Sequence, residues 1–92
     1  DEFPDPYNYW RRGQEKFKLK DYKGAIADYT KALEIEPDPN IITNYGDERY
    51  LYSRGVAKNS LGDLNGACVD WKMAANLGSE RVYKENLLNQ CY

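Results

Sequence analysis

Apolar positions recur at helical spacing in five stretches of this chain. From Tyr7, a first helix places Tyr9, Gly13, Lys16 and Phe17 on one face at 3.6-residue periodicity and closes near Leu19. A second, about Tyr22 to Glu36, carries the stripe Ala25, Tyr29, Ala32 and Leu33 with Ile26 flanking, and Pro37 and Pro39 stop it. Asp21 stands where a side-chain oxygen can accept from the free amides of that helix. A third, about Glu48 to Ser60, brings Leu51, Tyr52, Gly55 and Val56 into the same register, with Leu61 at its end. Gly62 and Asp63 then read as a C-terminal glycine followed by an N-cap. A fourth, Leu64 to Leu77, is expected to bury Leu64, Ala67, Cys68, Trp71, Ala74 and Ala75, and Gly78 ends it. Ser79 can cap a last helix, about Glu80 to Gln90, whose apolar side is Val82, Leu87, Leu88 and Cys91.

The first and third stretches are copies of one another. Shifting the chain by 42 residues lays Arg12 on Arg54, Gly13 on Gly55, Lys16 on Lys58, Leu19 on Leu61 and Asp21 on Asp63. The same shift lays Gly24 on Gly66, Ala25 on Ala67, Asp28 on Asp70 and Ala32 on Ala74. A pattern this dense within one helical hairpin marks a repeat protein. A glycine inside a helix costs about 1 kcal/mol against alanine, so the recurrence of Gly13 at Gly55 requires a packing reason, the close approach of a second helix. The recurring acids Asp21, Asp28, Asp63 and Asp70 read as caps and solvated faces.

Composition narrows the chemistry. A chain of 92 residues is one small domain, close to the size at which a single core just suffices. Its net charge of -2 supplies no global positive field for nucleic acid or anionic lipid, and its Lys and Arg are interleaved with acids. Histidine is absent, which removes the commonest general base and transition-metal ligand. The glycines form no phosphate-binding cluster, and neither cysteine has an imidazole partner. Cys68 and Cys91 fit no zinc spacing and are read as two buried small apolar residues, with a disulfide between adjacent helices as the alternative. No apolar run approaches the roughly 18 residues of a membrane span, and no signal-peptide pattern is visible. The sequence opens on Asp1 without Met, as a fragment or processed form would. These readings point away from an enzyme and toward no cofactor and no metal, no nucleic acid and no membrane, with the cytoplasm as default location.

The repeat resembles the tetratricopeptide repeat (TPR), a 34-residue helical hairpin with the pattern W-x2-L-G-x2-Y, then A-x3-F, Ala and Pro. Its first unit reads Tyr9, Arg12, Gly13, Lys16, Ala25, Tyr29, Ala32 and Pro37. The second reads Leu51, Arg54, Gly55, Lys58, Ala67, Trp71 and Ala74, with Ser79 in the proline slot. Arg and Lys replace the family's Leu and Tyr in both units, and with DWKMAANLG near the end the chain is similar to small bacterial-type members. The resemblance implies an all-α fold, an α-α superhelix of two TPR hairpins plus a C-terminal capping helix. The expected organisation is a loose tail over 1–6, repeat one over about 7–37, an inserted connector over about 38–47, repeat two over about 48–78 and the cap over about 79–91. Ile41 and Ile42 suggest that the connector folds back on the body.

The family's concave surface, carried over position by position, implies a peptide-binding groove of Tyr7, Trp10, Arg11, Gln14 and Phe17 on the first helix. Arg49, Tyr52, Ser53, Val56 and Asn59 continue it on the third, with Tyr83, Asn86 and Leu87 at its end. Trp10 lies one residue off the Tyr9–Gly13 packing stripe, and aromatics beside Arg and amides have the composition of a contact surface. The competing reading has Trp10 and Tyr52 packed against the connector or each other. The subtype that grips a C-terminal carboxylate is not matched, because its slots hold Trp10, Gln14, Ser53, Tyr83 and Leu87. The expected function is a non-enzymatic scaffold binding a peptide segment of a partner protein, with Arg11, Gln14, Arg49 and Asn59 bonding the partner's backbone or acids. The alternative is a self-association module, a homodimer formed through the groove or by hairpin swapping.

Overall fold

Each hairpin is built by the same three local devices: an aspartate that starts the second helix, a left-handed residue that ends the first, and a glycine that lets the two touch. The computed structural model describes residues 5–35 and 45–91. Its helices are α1 (Pro6–Lys18), α2 (Tyr22–Glu34), α3 (Tyr45–Ser60), α4 (Leu64–Asn76) and α5 (Glu80–Lys84), followed by a 3-10 turn over Leu87–Cys91. Among the described residues no strand occurs. α1 packs on α2, α3 on α4, and α2 on α3, while α5 and the 3-10 turn lie against α4.

Asp21 and Asp63 start α2 and α4, their side chains accepting from Gly24 N at 3.0 Å and Gly66 N at 2.9 Å. The preceding turns are also equivalent. Lys20 N donates to Phe17 O and Asp21 N to Lys16 O, as Gly62 N does to Asn59 O and Asp63 N to Lys58 O. The left-handed position of that turn is Gly62 at φ 89° in the second hairpin and Lys20 at φ 64° in the first. The glycine costs little there, whereas the lysine carries a Cβ into a crowded conformation.

The cores form around two equivalent aromatics. Tyr29 is buried with Ala25 and Ala57, and Trp71 with Leu51, Ala67, Ala74 and Val82. Gly13 faces the Tyr29 ring and Gly55 the Trp71 ring, so closely that a Cβ at either position would lie 2.6 Å from a ring carbon. This is the packing reason the sequence demanded. The Trp71 indole Nε1 donates to the Tyr52 carbonyl at 3.4 Å, which relieves the cost of burying its polar edge.

Several expectations are corrected. The N-terminal helix begins earlier than Tyr7: Asp5 is its N-cap, accepting from Tyr7 N, and Pro6 its first residue, where a missing N–H costs nothing. α3 begins at Tyr45, so the last residues assigned to the connector are helical; Ile41 and Ile42 lie outside the described residues. Leu64, expected in the core, is exposed at the start of α4. The final segment is not one helix. α5 stops at Lys84, Asn86 adopts φ 54°, and the chain turns to lay Leu87, Leu88 and Cys91 against the Trp71 core. Ser79 occupies the N-cap position of α5 without a side-chain cap bond, its hydroxyl buried with no partner.

The cysteines are not free: Cys68 of α4 and Cys91 of the 3-10 turn form a disulfide with Cα atoms 5.6 Å apart. The break at Asn86 is what brings Cys91 back onto α4.

Asp28 and Asp70 are likewise not solvated. They are buried at 3% and 0% exposure, and each is held by the two cations that occupy the Leu and Tyr slots of the repeat pattern. Arg12 donates from Nε and Nη2 to Asp28 at 2.9 and 2.7 Å, and Lys16 approaches it at 3.1 Å. In the second hairpin Arg54 and Lys58 repeat the arrangement on Asp70. Arg54 also donates to Thr30 Oγ1 at 3.2 Å, tying one hairpin to the other.

Candidate functional site

The groove forms where α1, α3 and α5 line up on one side of the array. Gln14 and Phe17 of α1, Tyr52, Ser53 and Val56 of α3, Tyr29 of α2 and Arg81 of α5 enclose a cavity of about 170 Å³. Phe17 and Val56 supply the apolar wall, and Gln14, Ser53, Tyr52 and Arg81 supply polar groups. Half of the residues expected from the sequence therefore lie together in this cavity: Gln14, Phe17, Tyr52, Ser53 and Val56.

Of the other five, Tyr7, Trp10, Arg11 and Arg49 form a second cluster beside it. Tyr7 and Trp10 rings are 5.5 Å apart and Trp10 and Tyr50 rings 6.4 Å apart. Arg11 lies over Tyr7 at 6.0 Å and Arg49 over Trp10 at 5.2 Å. The Trp10 indole Nε1 donates to Ser53 Oγ at 3.0 Å, which joins the cluster to the cavity wall. Trp10 is thus half-buried between α1 and α3 and also packs on the Ala25–Tyr29–Ala57 core, so it is partly spent on holding the hairpins together. Asn59 is exposed and outside the cavity.

Two residues escaped the sequence reading. Tyr29 reads as core, and is, but its hydroxyl emerges to donate to Gln14 Oε1. Burial, with the Asp28 charge adding to it, raises the Tyr29 phenol well above its ordinary range. Arg81 was missed because Tyr83, Asn86 and Leu87 were expected to close the groove; Tyr83 instead points outward at 61% exposure. At that end Arg81 lies over the Tyr52 ring at 4.9 Å, and the Tyr52 hydroxyl donates to Glu85 Oε2 at 2.5 Å. Burial first, then the bond to Glu85, pushes the Tyr52 phenol up to about 12, so it is a neutral donor throughout the physiological range. No sequence signal marked Arg81, because its role depends on the break after α5.

A larger concavity of about 480 Å³ lies between α2, α3 and α4, lined by Thr30, Leu33, Leu51, Arg54, Met73 and Leu77 with Glu34. Its central cation, Arg54, is already committed to Asp70 and Thr30, so the α1–α3–α5 groove offers the better recognition chemistry. Among the described residues no group of three or more His, Cys, Asp or Glu could hold a metal ion, and no helix is long and apolar enough to cross a membrane.

The family model of the tetratricopeptide repeat matches residues 11–39, from within α1 through the end of α2. No solved structure matches the chain. The family is generally a non-enzymatic scaffold that serves protein–protein interaction. The first hairpin thus matches a tetratricopeptide repeat, and the second repeats its caps, its glycine–aromatic contact and its buried aspartate.

Proposed function

We propose that the chain is a non-enzymatic interaction module that takes a peptide segment of a partner protein in the groove between α1, α3 and α5. The observation that carries this reading is the groove's lining: an apolar wall of Phe17 and Val56 faces polar groups from three different elements. Such a mixture orients a chain segment while burying its apolar side chains. Trp10, Tyr7 and Tyr52 serve as rigid aromatic anchors at the groove's flanks.

Selection of dodecapeptides from a displayed random library by the intact chain tests the proposal. Binders should be recovered, and Val56→Trp, which crowds the cavity, should abolish their binding while circular dichroism shows the variant still helical and folded. Phe17→Ala should weaken it. Binders indifferent to both substitutions would refute the groove.

Self-association is the second reading, and one observation favours a surface for it away from the groove. Val69 and Met73 of α4 and Leu77 at its C-cap lie four residues apart and are 57%, 47% and 40% exposed. Such a row can pair with its own copy about a two-fold axis. Light scattering over a range of concentrations separates the readings: a mass that stays monomeric removes the second.

A further inference from the structure

Two groups stand out among the cations of this chain. Arg12, Lys16, Arg54 and Lys58 spend their donors on Asp28 and Asp70, and Lys18 and Lys84 pair with Glu15 and Glu80 on their own helices. Arg11, Arg49 and Arg81 behave differently. Each is exposed, each lies over an aromatic ring of the groove side, and none has a carboxylate within ion-pair distance among the described residues. Their host helices are α1, α3 and α5, so alternate helices of the array each present one.

Stacking on a ring engages the face of a guanidinium and leaves its in-plane N–H fork unused. It also restricts a long, mobile side chain before any partner arrives, which lowers the ordering cost of binding. Arg12 makes the contrast clear: it too lies over a ring, Tyr9, at 5.3 Å, but its fork is filled by Asp28. The three groove arginines are therefore pre-positioned forks without acceptors among the described residues, on a chain whose net charge is -2.

We propose that the partner segment is acidic, its carboxylates received by Arg49 and Arg81, with Arg11 beyond them, while its apolar residues enter the cavity at Phe17 and Val56. This rests on the groove reading above and names the chemistry of its occupant. Carboxylates match the planar guanidinium fork two-pronged, and a basic or neutral segment leaves the forks unfilled. Glu85, hydrogen-bonded to Tyr52 beside Arg81, is the carboxylate that opposes such a segment and tunes its strength.

The library selection above supplies the test, with the disulfide-bonded chain as bait and each selected peptide resynthesised with Asn and Gln in place of every Asp and Glu. The expected result is a pool rich in Asp and Glu whose binding falls about tenfold or more on that replacement, and similarly in the double variant Arg49→Gln, Arg81→Gln. Raising the salt from about 50 to about 300 mM should weaken it severalfold, because exposed charges are screened. Glu85→Gln should tighten it, and Lys23→Gln, an exposed cation of α2, should leave it unchanged. Groove-dependent binders without acids, or binding indifferent to Arg49 and Arg81, overturn the acidic partner while the groove stands. A selection that yields no peptide sensitive to Val56→Trp overturns both.

Discussion

Arg54 meets Asp70 through two parallel hydrogen bonds, Nε to Oδ2 at 2.9 Å and Nη2 to Oδ1 at 2.8 Å, with the carboxylate wholly buried. Lys58 completes the neutralisation at 3.2 Å. Breaking a buried pair by removing one partner is far costlier than never having built it, because the remaining charge is stranded. Asp70→Ala should therefore lower the unfolding free energy by about 3 kcal/mol or more, read from urea midpoints. Asp28→Ala should cost less, since Arg12 is 59% exposed against 18% for Arg54 and can return to water. Equal losses would show that burial of the cations does not matter.

Acid should act through Asp28. Its hydrogen bond to Arg12 holds the carboxyl below its ordinary value, against burial, which pushes it up. A folded pKa below the unfolded value of about 3.9 means that the stabilisation is complete above that pH and lost as pH falls through the lowered pKa. The gap in urea midpoint between the native chain and Asp28→Asn should be constant near neutrality and close below about pH 4. A gap that persists at low pH would contradict this.

Gly55→Ala should destabilise by about 1–3 kcal/mol through overpacking. Its new Cβ would lie 2.6 Å from Trp71 Cδ1, in a ring that the core holds fixed. In a Trp71→Phe background the penalty should shrink, which a double-mutant cycle by thermal melting can read.

Lys20→Gly should stabilise the chain, by up to about 1 kcal/mol. Lys20 holds φ 64° at the position where the second hairpin uses Gly62. The side chain is exposed, so little packing is lost. A lowered melting temperature would show that the flexibility gained by the unfolded chain outweighs the relieved strain.

Reduction of Cys68–Cys91 should cost about 3 kcal/mol, the loop-closure term for a bridge that spans 23 residues. Hydrogen exchange should then rise over Leu87–Cys91 before it rises in α4, because the 3-10 turn is short and only half-buried. Unchanged urea midpoints with and without reductant would refute a stabilising role.

Much of the fold was legible because its signals are local or periodic. Asp21 and Asp63 announce caps by chemistry alone, and the 42-residue shift superimposes two hairpins before any coordinates exist. Five of the expected groove positions on α1 and α3 line one cavity, because their direction follows from helix geometry. Arg81 and Glu85 were not legible, since their place depends on where α5 stops.

The sequence by itself determined two helical hairpins, their caps and the glycine–aromatic contacts, because each rests on residues a few positions apart or on a strict repeat. Only the tertiary structure decided the rest. Charge pattern cannot tell a solvated aspartate from one enclosed by Arg54 and Lys58, as that depends on α3 and α4 meeting at one register. Nor could spacing pair Cys68 with Cys91, because the pairing requires the left-handed Asn86 to turn the chain back onto α4.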